Sequence, residues 1–273
     1  MIITALVRLV FAGALALAGS ALAADRCAAP DDVAGNAEEL PHLAAALRAG
    51  GRLNILVVGS ATVFGPEASL QPGTITSRAL GLSPTASRTL AKPGMPDVSE
   101  QSFPMQMAAG LRAAVPGVDV RVTVRGGRGM PAADMLGLLR AELAAQPYQL
   151  VIWQTGTVEA VRNLPPGDFA QTLADGAALV QDAGADLVLV DPQFSRFLQT
   201  NANLDPYTQA LQQVAAIPGV LLFHRYDLMR AWVSEGQIDL ERTPKAERQQ
   251  AIEALHVCLG AHLARLLLGS VRS

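Results

Sequence analysis

Two distant parts of the chain carry side chains that could together cleave an ester or acyl bond. The apolar segment 53–65 contains a Gly-Ser turn with Ser60, and α/β hydrolytic enzymes place a serine nucleophile in such a turn after a strand. Glu253 and His256 lie three residues apart in the last predicted helix. A carboxylate can hold an imidazole in the tautomer that accepts a hydroxyl proton. These residue types therefore indicate acyl or ester hydrolysis, provided that the fold brings the two ends of the chain together.

Short β-rich apolar segments alternate with helical patterns, which is typical of parallel strands joined by right-handed crossovers. The predicted strands are 53–58, 118–124, 150–153, 187–190 and 220–223. Most are apolar on both faces, as in central strands covered by helices on each side, whereas 118–124 alternates valines with polar residues and is predicted to be an edge strand. The sequence predicts an α/β fold, a three-layer α/β/α sandwich with a flavodoxin-like parallel five-stranded sheet of order 2-1-3-4-5. Ligands of such sheets bind at the carboxyl ends of the strands.

Apolar residues at intervals of three and four predict the helices. These are 103–115, 132–145, 168–183, 206–215, 227–235 and 244–268. The segment 66–101 is rich in proline, serine, threonine and glycine, and it predicts a long loop or an insertion after the first strand. Because loops of that length are usually functional or disordered, this one is a candidate lid over the site.

The first residues are typical of an export signal. Arg8 precedes the apolar stretch 9–18 and the small-residue sequence 21–23, so residues 1–23 are predicted to be a signal peptide. An uncleaved membrane anchor is the alternative. The remaining chain divides into a lead segment, 24–52, and one domain, 53–273. We expect a periplasmic or secreted protein without a membrane span in the mature chain.

Composition limits the partners and cofactors. The net charge of −3 argues against a nucleic-acid binder. The four histidines and two cysteines have no metal-ligand spacing, so no metal and no cofactor is predicted. An oxidising compartment makes a Cys27–Cys258 disulfide plausible, although Cys258 is equally well interpreted as a small buried hydrophobe.

The segment 59–65, Gly-Ser-Ala-Thr-Val-Phe-Gly, resembles the first motif of the SGNH or GDSL hydrolases. Both flanking glycines are in register, which puts Ala61 at the family's nucleophile position and Ser60 one residue early. An alanine methyl group cannot attack a carbonyl, so catalysis requires Ser60, through an adjusted turn, or Thr62. The alternative is that Ser60 only caps the following turn.

Two further segments resemble the family's oxyanion motifs. The segment 125–130, Arg-Gly-Gly-Arg-Gly-Met, matches the second, and the resemblance implies that the Gly129 amide donates to an oxyanion. This loop is otherwise a turn before a helix or an anion nest that includes Arg128. The segment 156–159, Gly-Thr-Val-Glu, matches the third, but Val158 replaces the family's asparagine. Loss of such a donor costs roughly 100- to 1000-fold in turnover. Gln154, Thr155 and Thr157 are candidate substitutes.

The fourth motif, Asp-x-x-His, is matched by Glu253-Ala254-Leu255-His256. The resemblance implies that His256 is the base and Glu253 its orienting carboxylate. The alternatives are an exposed helical ion pair and a structural histidine on an apolar helix. Asp191, which follows the fourth strand, is a candidate substrate-binding residue or part of a plain Asp-Pro turn.

The four motifs occur in the family's order and together imply an SGNH-like hydrolase of ester or acyl groups, with a cell-envelope carbohydrate or a small-molecule ester as substrate. The implied catalytic residues are Ser60, Gly129, Glu253 and His256. The implied substrate-binding residues are Arg128, Gln154, Thr157 and Asp191. Because Ala61 and Val158 depart from the family pattern, the alternative is a catalytically silent protein of the same fold that binds an envelope glycan or a protein partner.

Overall fold

Five strands of the described chain form one parallel sheet. They are β1 (Gly51–Gly59), β2 (Val118–Gly126), β3 (Leu150–Gln154), β4 (Asp186–Val190) and β5 (Val220–Phe223). The order is β2-β1-β3-β4-β5, and every neighbouring pair is parallel. The computed structural model describes residues 27–29, 39–70 and 97–271, except the side chains of 69 and 70. The predicted strand order and the edge position of β2 are confirmed.

Helices connect these strands and cover the sheet. They are α1 (Pro41–Ala49), α2 (Pro66–Leu70), α3 (Phe103–Ala114), α4 (Ala132–Ala145), α5 (Thr157–Arg162), α6 (Pro166–Asp182), α7 (Arg196–Asn201), α8 (Asp205–Val214), α9 (Arg225–Ser234) and α10 (Arg248–Gly269). A 3₁₀ helix, Ala61–Val63, follows β1. The helices α1, α2, α5 and α7 were not predicted; all are short, so each shows too few turns for a clear apolar period.

Two hydrophobic cores lie on opposite faces of the sheet, as the alternation of side chains along β1 requires. Leu53, Ile55 and Val57 pack in one core with buried residues of α3, α9 and α10. Leu56 and Val58 pack in the other core with residues of α4, α6 and α8. The three-layer α/β/α architecture is therefore confirmed.

Small residues let α3 and α10 approach closely. A Cβ atom built on Gly260 of α10 would lie 2.5 Å from Gln106 Cβ and 2.8 Å from Phe103 O of α3. One on Gly110 of α3 would lie 2.9 Å from Ala264 Cβ. This contact brings the middle of the last helix against the first turn of α3.

The predicted lead segment and loop are only partly described. The lead segment 24–52 contains α1 and the start of β1, and the predicted loop 66–101 begins with α2. The predicted signal peptide and residues 71–96 lie outside the described residues. The Cys27–Cys258 disulfide is formed, with a Cα–Cα distance of 5.0 Å. It joins the segment 27–29 to α10.

Within the described ranges, α10 is the one helix long and apolar enough to cross a membrane. In its apolar window 56% of the residues are buried inside the fold. Burial of this extent is typical of a helix that belongs to a protein core.

Candidate functional site

The carboxyl end of β1 is tightly packed around two glycines. Gly126, at the end of β2, has a φ of +138°, and a Cβ there would lie 1.8 Å from the Gly59 carbonyl oxygen. A Cβ on Gly59 would lie 2.5 Å from Val63 Cγ1. Both positions therefore require glycine. The chain turns here directly into the 3₁₀ helix that carries Thr62.

Ser60 is half-buried and immediately precedes this 3₁₀ helix. Its side chain makes no capping hydrogen bond to the helix. The structure therefore contradicts the alternative interpretation, in which the Ser60 hydroxyl caps this turn. Ala61, at the family's nucleophile position, is buried.

The hydroxyl of Thr62 joins the end of β3 to the start of α9. Its Oγ1 donates to Gln154 Oε1 over 2.7 Å. Arg225 Nη1 donates to the same Oγ1 over 3.5 Å, and Arg225 Nε donates to the carbonyl oxygen of Asp191 over 3.1 Å. Gln154, a predicted substrate-binding residue, is thus part of a polar chain that ends at a guanidinium.

Arg225 is a buried cation, with 2% of its surface exposed. Burial lowers its pKa to about 10, and it remains protonated at neutral pH. Among the described residues, no atom accepts a hydrogen bond from Nη2. Leaving a buried donor unsatisfied costs about 1–3 kcal/mol, and more for a charged group.

His256 is buried between α10 and the start of α3. Its Nδ1 accepts from the backbone amide of Phe103 over 3.0 Å, so Nε2 holds the proton in the neutral ring. Burial, and secondly the charge of Arg225, lower the pKa of His256 to about 4. The imidazole is therefore neutral at neutral pH, and its N–H group is at Nε2.

The predicted partner of this histidine bonds elsewhere. Glu253 Oε1 accepts from Gln249 Nε2 over 2.8 Å, one turn earlier on α10. No hydrogen bond joins Glu253 to His256 within the part of the chain that the structure describes. Their spacing of three residues places them on one helix, but it does not pair them.

The predicted oxyanion loop follows β2. Gly129 has a φ of +64°, and a Cβ there would lie 3.0 Å from Arg162 Nη2. Arg128 is exposed, and its Nη2 donates to the carbonyl oxygen of Ala68 in α2 over 2.9 Å. This contact ties the loop to the start of the predicted lid.

Three other side chains at this edge of the sheet hold loops and helix starts in place. Asp191 Oδ1 accepts from the Tyr226 amide over 2.8 Å, in the first turn of α9. Burial raises the pKa of Asp191 above its ordinary value, and the nearby His224 only partly opposes this effect. Thr157 Oγ1 accepts from the Gln193 amide over 3.4 Å. The two Glu159 carboxylate oxygens accept from the amides of Gly156 and Ala132.

A cavity of about 160 Å³ lies beside Thr62, Arg225 and His256. Its apolar wall includes Phe103, Phe194, Met229, Val233, Ile238, Leu240, Ile252, Leu255 and Leu259. Its polar lining is completed by Gln193, Ser195, Asp239 and Glu241. Several of these residues are half-buried, which puts the opening of the cavity at the protein surface.

Of the residues predicted for catalysis, the described lining of this cavity contains His256 but not Ser60, Gly129 or Glu253. Sequence reasoning did not assign Arg225 to the site. The available signal was its position directly after β5, at the carboxyl edge of the sheet. Thr62 was considered only as a substitute nucleophile. Among the described residues, no group of His, Cys, Asp or Glu side chains could hold a metal ion.

The fold is that of an SGNH-type hydrolase sandwich. Residues 26–273 match the family model of the Non-GDSL lipase-like family, and the chain belongs to this family. It is a divergent member of the SGNH/GDSL group, as the four motifs predicted. No curated protein matches the sequence.

Solved structures with the same fold include several esterases. A two-domain esterase active on acetylated mannans is 15% identical with a TM-score of 0.57, over 88% of this chain and 54% of that one. A catalytic mutant of an acetylxylan esterase from Geobacillus stearothermophilus is 14% identical with a TM-score of 0.56, over 80% and 95%. A putative lipolytic protein of the G-D-S-L family from Desulfitobacterium hafniense DCB-2 is 14% identical with a TM-score of 0.51, over 78% and 98%. At these identities the likeness establishes the fold.

Proposed function

We propose that the protein hydrolyses an ester or acyl group at the carboxyl edge of its sheet. The observation that carries this proposal is the turn after β1, where Ser60 has a hydroxyl that is not used as a cap. Membership of a lipase-like family supports hydrolysis. The mannan and xylan esterases of the same fold support a carbohydrate ester, for which a cell-envelope polysaccharide is our candidate.

In this proposal Ser60 attacks the carbonyl carbon, His256 takes its proton, Glu253 orients the imidazole and the Gly129 amide donates to the oxyanion. His256 gives the proton to the leaving alkoxide, which departs as the alcohol. Water then attacks the acyl-enzyme, which releases the acid and restores the Ser60 hydroxyl. Arg128, Gln154, Thr157 and Asp191 are the proposed substrate-binding residues.

Two parts of this mechanism need a change from the observed contacts. Glu253 must exchange its bond with Gln249 for one with His256. His256 accepts the Phe103 amide at Nδ1 and holds its proton at Nε2. To act as a base through Nε2, the ring must carry its proton on Nδ1 instead, and it must give up the Phe103 bond. Catalysis therefore requires the imidazole to leave the Phe103 amide, by rotation of the ring or by movement of the first turn of α3.

The second candidate function is binding without catalysis, and the same hydrogen bond favours it. A histidine that serves as an acceptor for a helix start is held in the wrong tautomer for a base. Ala61 and Val158, both buried, replace the family's nucleophile and its asparagine. A catalytically silent protein that binds an envelope glycan or a protein partner would need none of these groups.

We also propose that the protein works outside the cytoplasm, in the periplasm or secreted. The Cys27–Cys258 disulfide supports this location, because such bonds persist in oxidising compartments. The residue types of segment 1–23 support cleavage of a signal peptide before the protein reaches that compartment.

Hydrolysis of p-nitrophenyl acetate and butyrate by the purified mature protein tests the proposal. We expect Ser60→Ala and His256→Asn each to lower kcat/KM at least about 1000-fold, as loss of a nucleophile or a base does. Thr62→Val should change the rate little. Ser234→Ala removes an exposed hydroxyl from α9 and is the matched control.

The other outcomes separate the candidates. Loss of activity in Thr62→Val with full activity in Ser60→Ala would transfer the nucleophile to Thr62. A wild-type rate no higher than that of buffer, in a protein that unfolds cooperatively, would contradict hydrolysis of these esters and favour the binding protein.

A further inference from the structure

The cavity beside Arg225 combines an apolar wall with one buried positive charge. Arg225 lines the cavity and is 2% exposed. Two of its nitrogens donate to Asp191 O and Thr62 Oγ1, while Nη2 has no acceptor among the described residues. Nη2 is itself buried, and a guanidinium with an unsatisfied N–H₂ group in low-dielectric surroundings strongly favours a negatively charged acceptor.

The charge of Asp191 partly offsets the effect of burial on the pKa of Arg225, but no nearby carboxylate in the described chain accepts a hydrogen bond from Nη2. Asp191 accepts from the Tyr226 amide with Oδ1, and its Oδ2 lies 3.8 Å from His224 Nδ1. The carboxylates of Asp239 and Glu241, which also line the cavity, both bond to the Arg196 guanidinium. Glu241 also accepts the amides of Arg196 and Phe197.

A second donor faces the same space. His256 lines the cavity, and because Nδ1 is occupied by the Phe103 amide, its Nε2 is a donor. The lining thus has a polar part, formed by Arg225, His256 and Thr62. Most of the other lining side chains are aliphatic or aromatic. Such a division suits a ligand with one anionic end and one apolar end.

We propose that this cavity binds a monocarboxylate with a small apolar group, the carboxylate on Arg225 and the apolar group against Phe103, Met229 and Val233. The volume of about 160 Å³ sets the size of the apolar group. An apolar cavity of about 150 Å³ accommodates benzene, so a phenyl ring or a short acyl chain fits. Binding needs no nucleophile, and the inference therefore does not rest on the proposed hydrolysis.

Fluorine NMR titration of the purified protein with 4-fluorobenzoate and with 4-fluorobenzyl alcohol tests this assignment. The two probes have nearly the same shape, and only the acid is charged at pH 7. We expect the wild type to bind the acid at least about tenfold more tightly than the alcohol, since a hydrogen bond to a charged group has about that effect. Equal affinities for the two probes would overturn the proposal.

Two variants locate the site. Arg225→Gln should remove the preference for the acid and leave binding of the alcohol. Val233→Phe, which fills the cavity, should lower the affinity for both probes at least about tenfold. The same substitution at Val257, which is 38% exposed on α10, should leave both affinities unchanged. If Arg225→Gln does not fold, the comparison of Val233→Phe with Val257→Phe still shows whether the probes bind in this cavity. Wild-type affinity for the acid in Val233→Phe would contradict this cavity as the site.

Discussion

Single side chains from distant elements bond to the first amides of the helices that begin around the sheet. His256 accepts from the first residue of α3, Asp191 from the second residue of α9 and Glu159 from the first residue of α4. The first amides of a helix have no partner within it, and its start carries partial positive charge. At α3 the neighbouring Ser102 makes no cap bond, so a histidine from α10 supplies the acceptor. Side chains of types that could act in catalysis therefore accept hydrogen bonds from helix amides in this structure.

The role of His256 as an acceptor predicts a dependence of stability on pH. Its pKa is lowered from 6.5 to about 4 in the folded state, so between these values the unfolded chain binds a proton that the folded chain does not. This contribution to stability is present above pH 6.5 and is lost as the pH falls toward 4; a shift of this size corresponds to about 3 kcal/mol.

His256→Asn should keep an acceptor for the Phe103 amide and remove the titration. Urea unfolding at several pH values from 7.5 to 4 should then show a smaller loss of unfolding free energy in acid than in the wild type. Ser234→Ala, at an exposed serine, is the control and should keep the wild-type profile. An unchanged profile in His256→Asn would show that another group causes the acid sensitivity.

At the scale of elements, the contact between α3 and α10 fixes where His256 lies. Gly260 is one turn after His256, and its missing side chain lets α10 lie against the backbone of Phe103 and Met107. Gly110 and Ala264 continue the same contact further along the two helices. Because close-packed helices cannot absorb added volume, this spacing also sets the distance between the Phe103 amide and the imidazole.

Gly260→Ala should therefore destabilise the protein although alanine is the better helix former. Its Cβ would lie 2.8 Å from two backbone atoms of α3, and overpacking of this kind costs about 1–3 kcal/mol. Gly137→Ala, in α4 with no atom within 4 Å, is the matched control and should stabilise by about 0.5–1 kcal/mol. Denaturation midpoints of the two variants measure the contrast. Stabilisation in both would mean that α10 shifts freely along α3.

At the scale of the whole molecule, the sheet could be predicted because its information is local. Segments such as 150–153 and 187–190 are apolar at successive positions, which indicates strands covered on both faces, and β2 alternates as an edge strand does. The cavity could not be predicted in the same way. His256 and the Phe103 amide are 153 residues apart. Whether Arg225 Nη2 has a hydrogen-bond acceptor depends on which groups the fold brings near it, and the sequence does not show this. The spacing of Glu253 and His256 did not reveal that each has a different partner.

The disulfide joins the two ends of the described chain and carries the last prediction. It links positions 231 residues apart, and the segment that it anchors is also tied by Trp232 Nε1, which donates to the carbonyl oxygen of Ala28. Closing so long a loop restricts the unfolded chain strongly, so we expect Cys27→Ala/Cys258→Ala to lower the unfolding free energy by about 2–5 kcal/mol. Urea denaturation with and without dithiothreitol measures this effect. The reductant should lower the wild-type midpoint, because it breaks the bond and keeps both buried cysteines in place. It should leave the double variant, which has no cysteine, unchanged. Equal midpoints for wild type and variant without reductant would show that packing, rather than the covalent bond, holds the segment on α10.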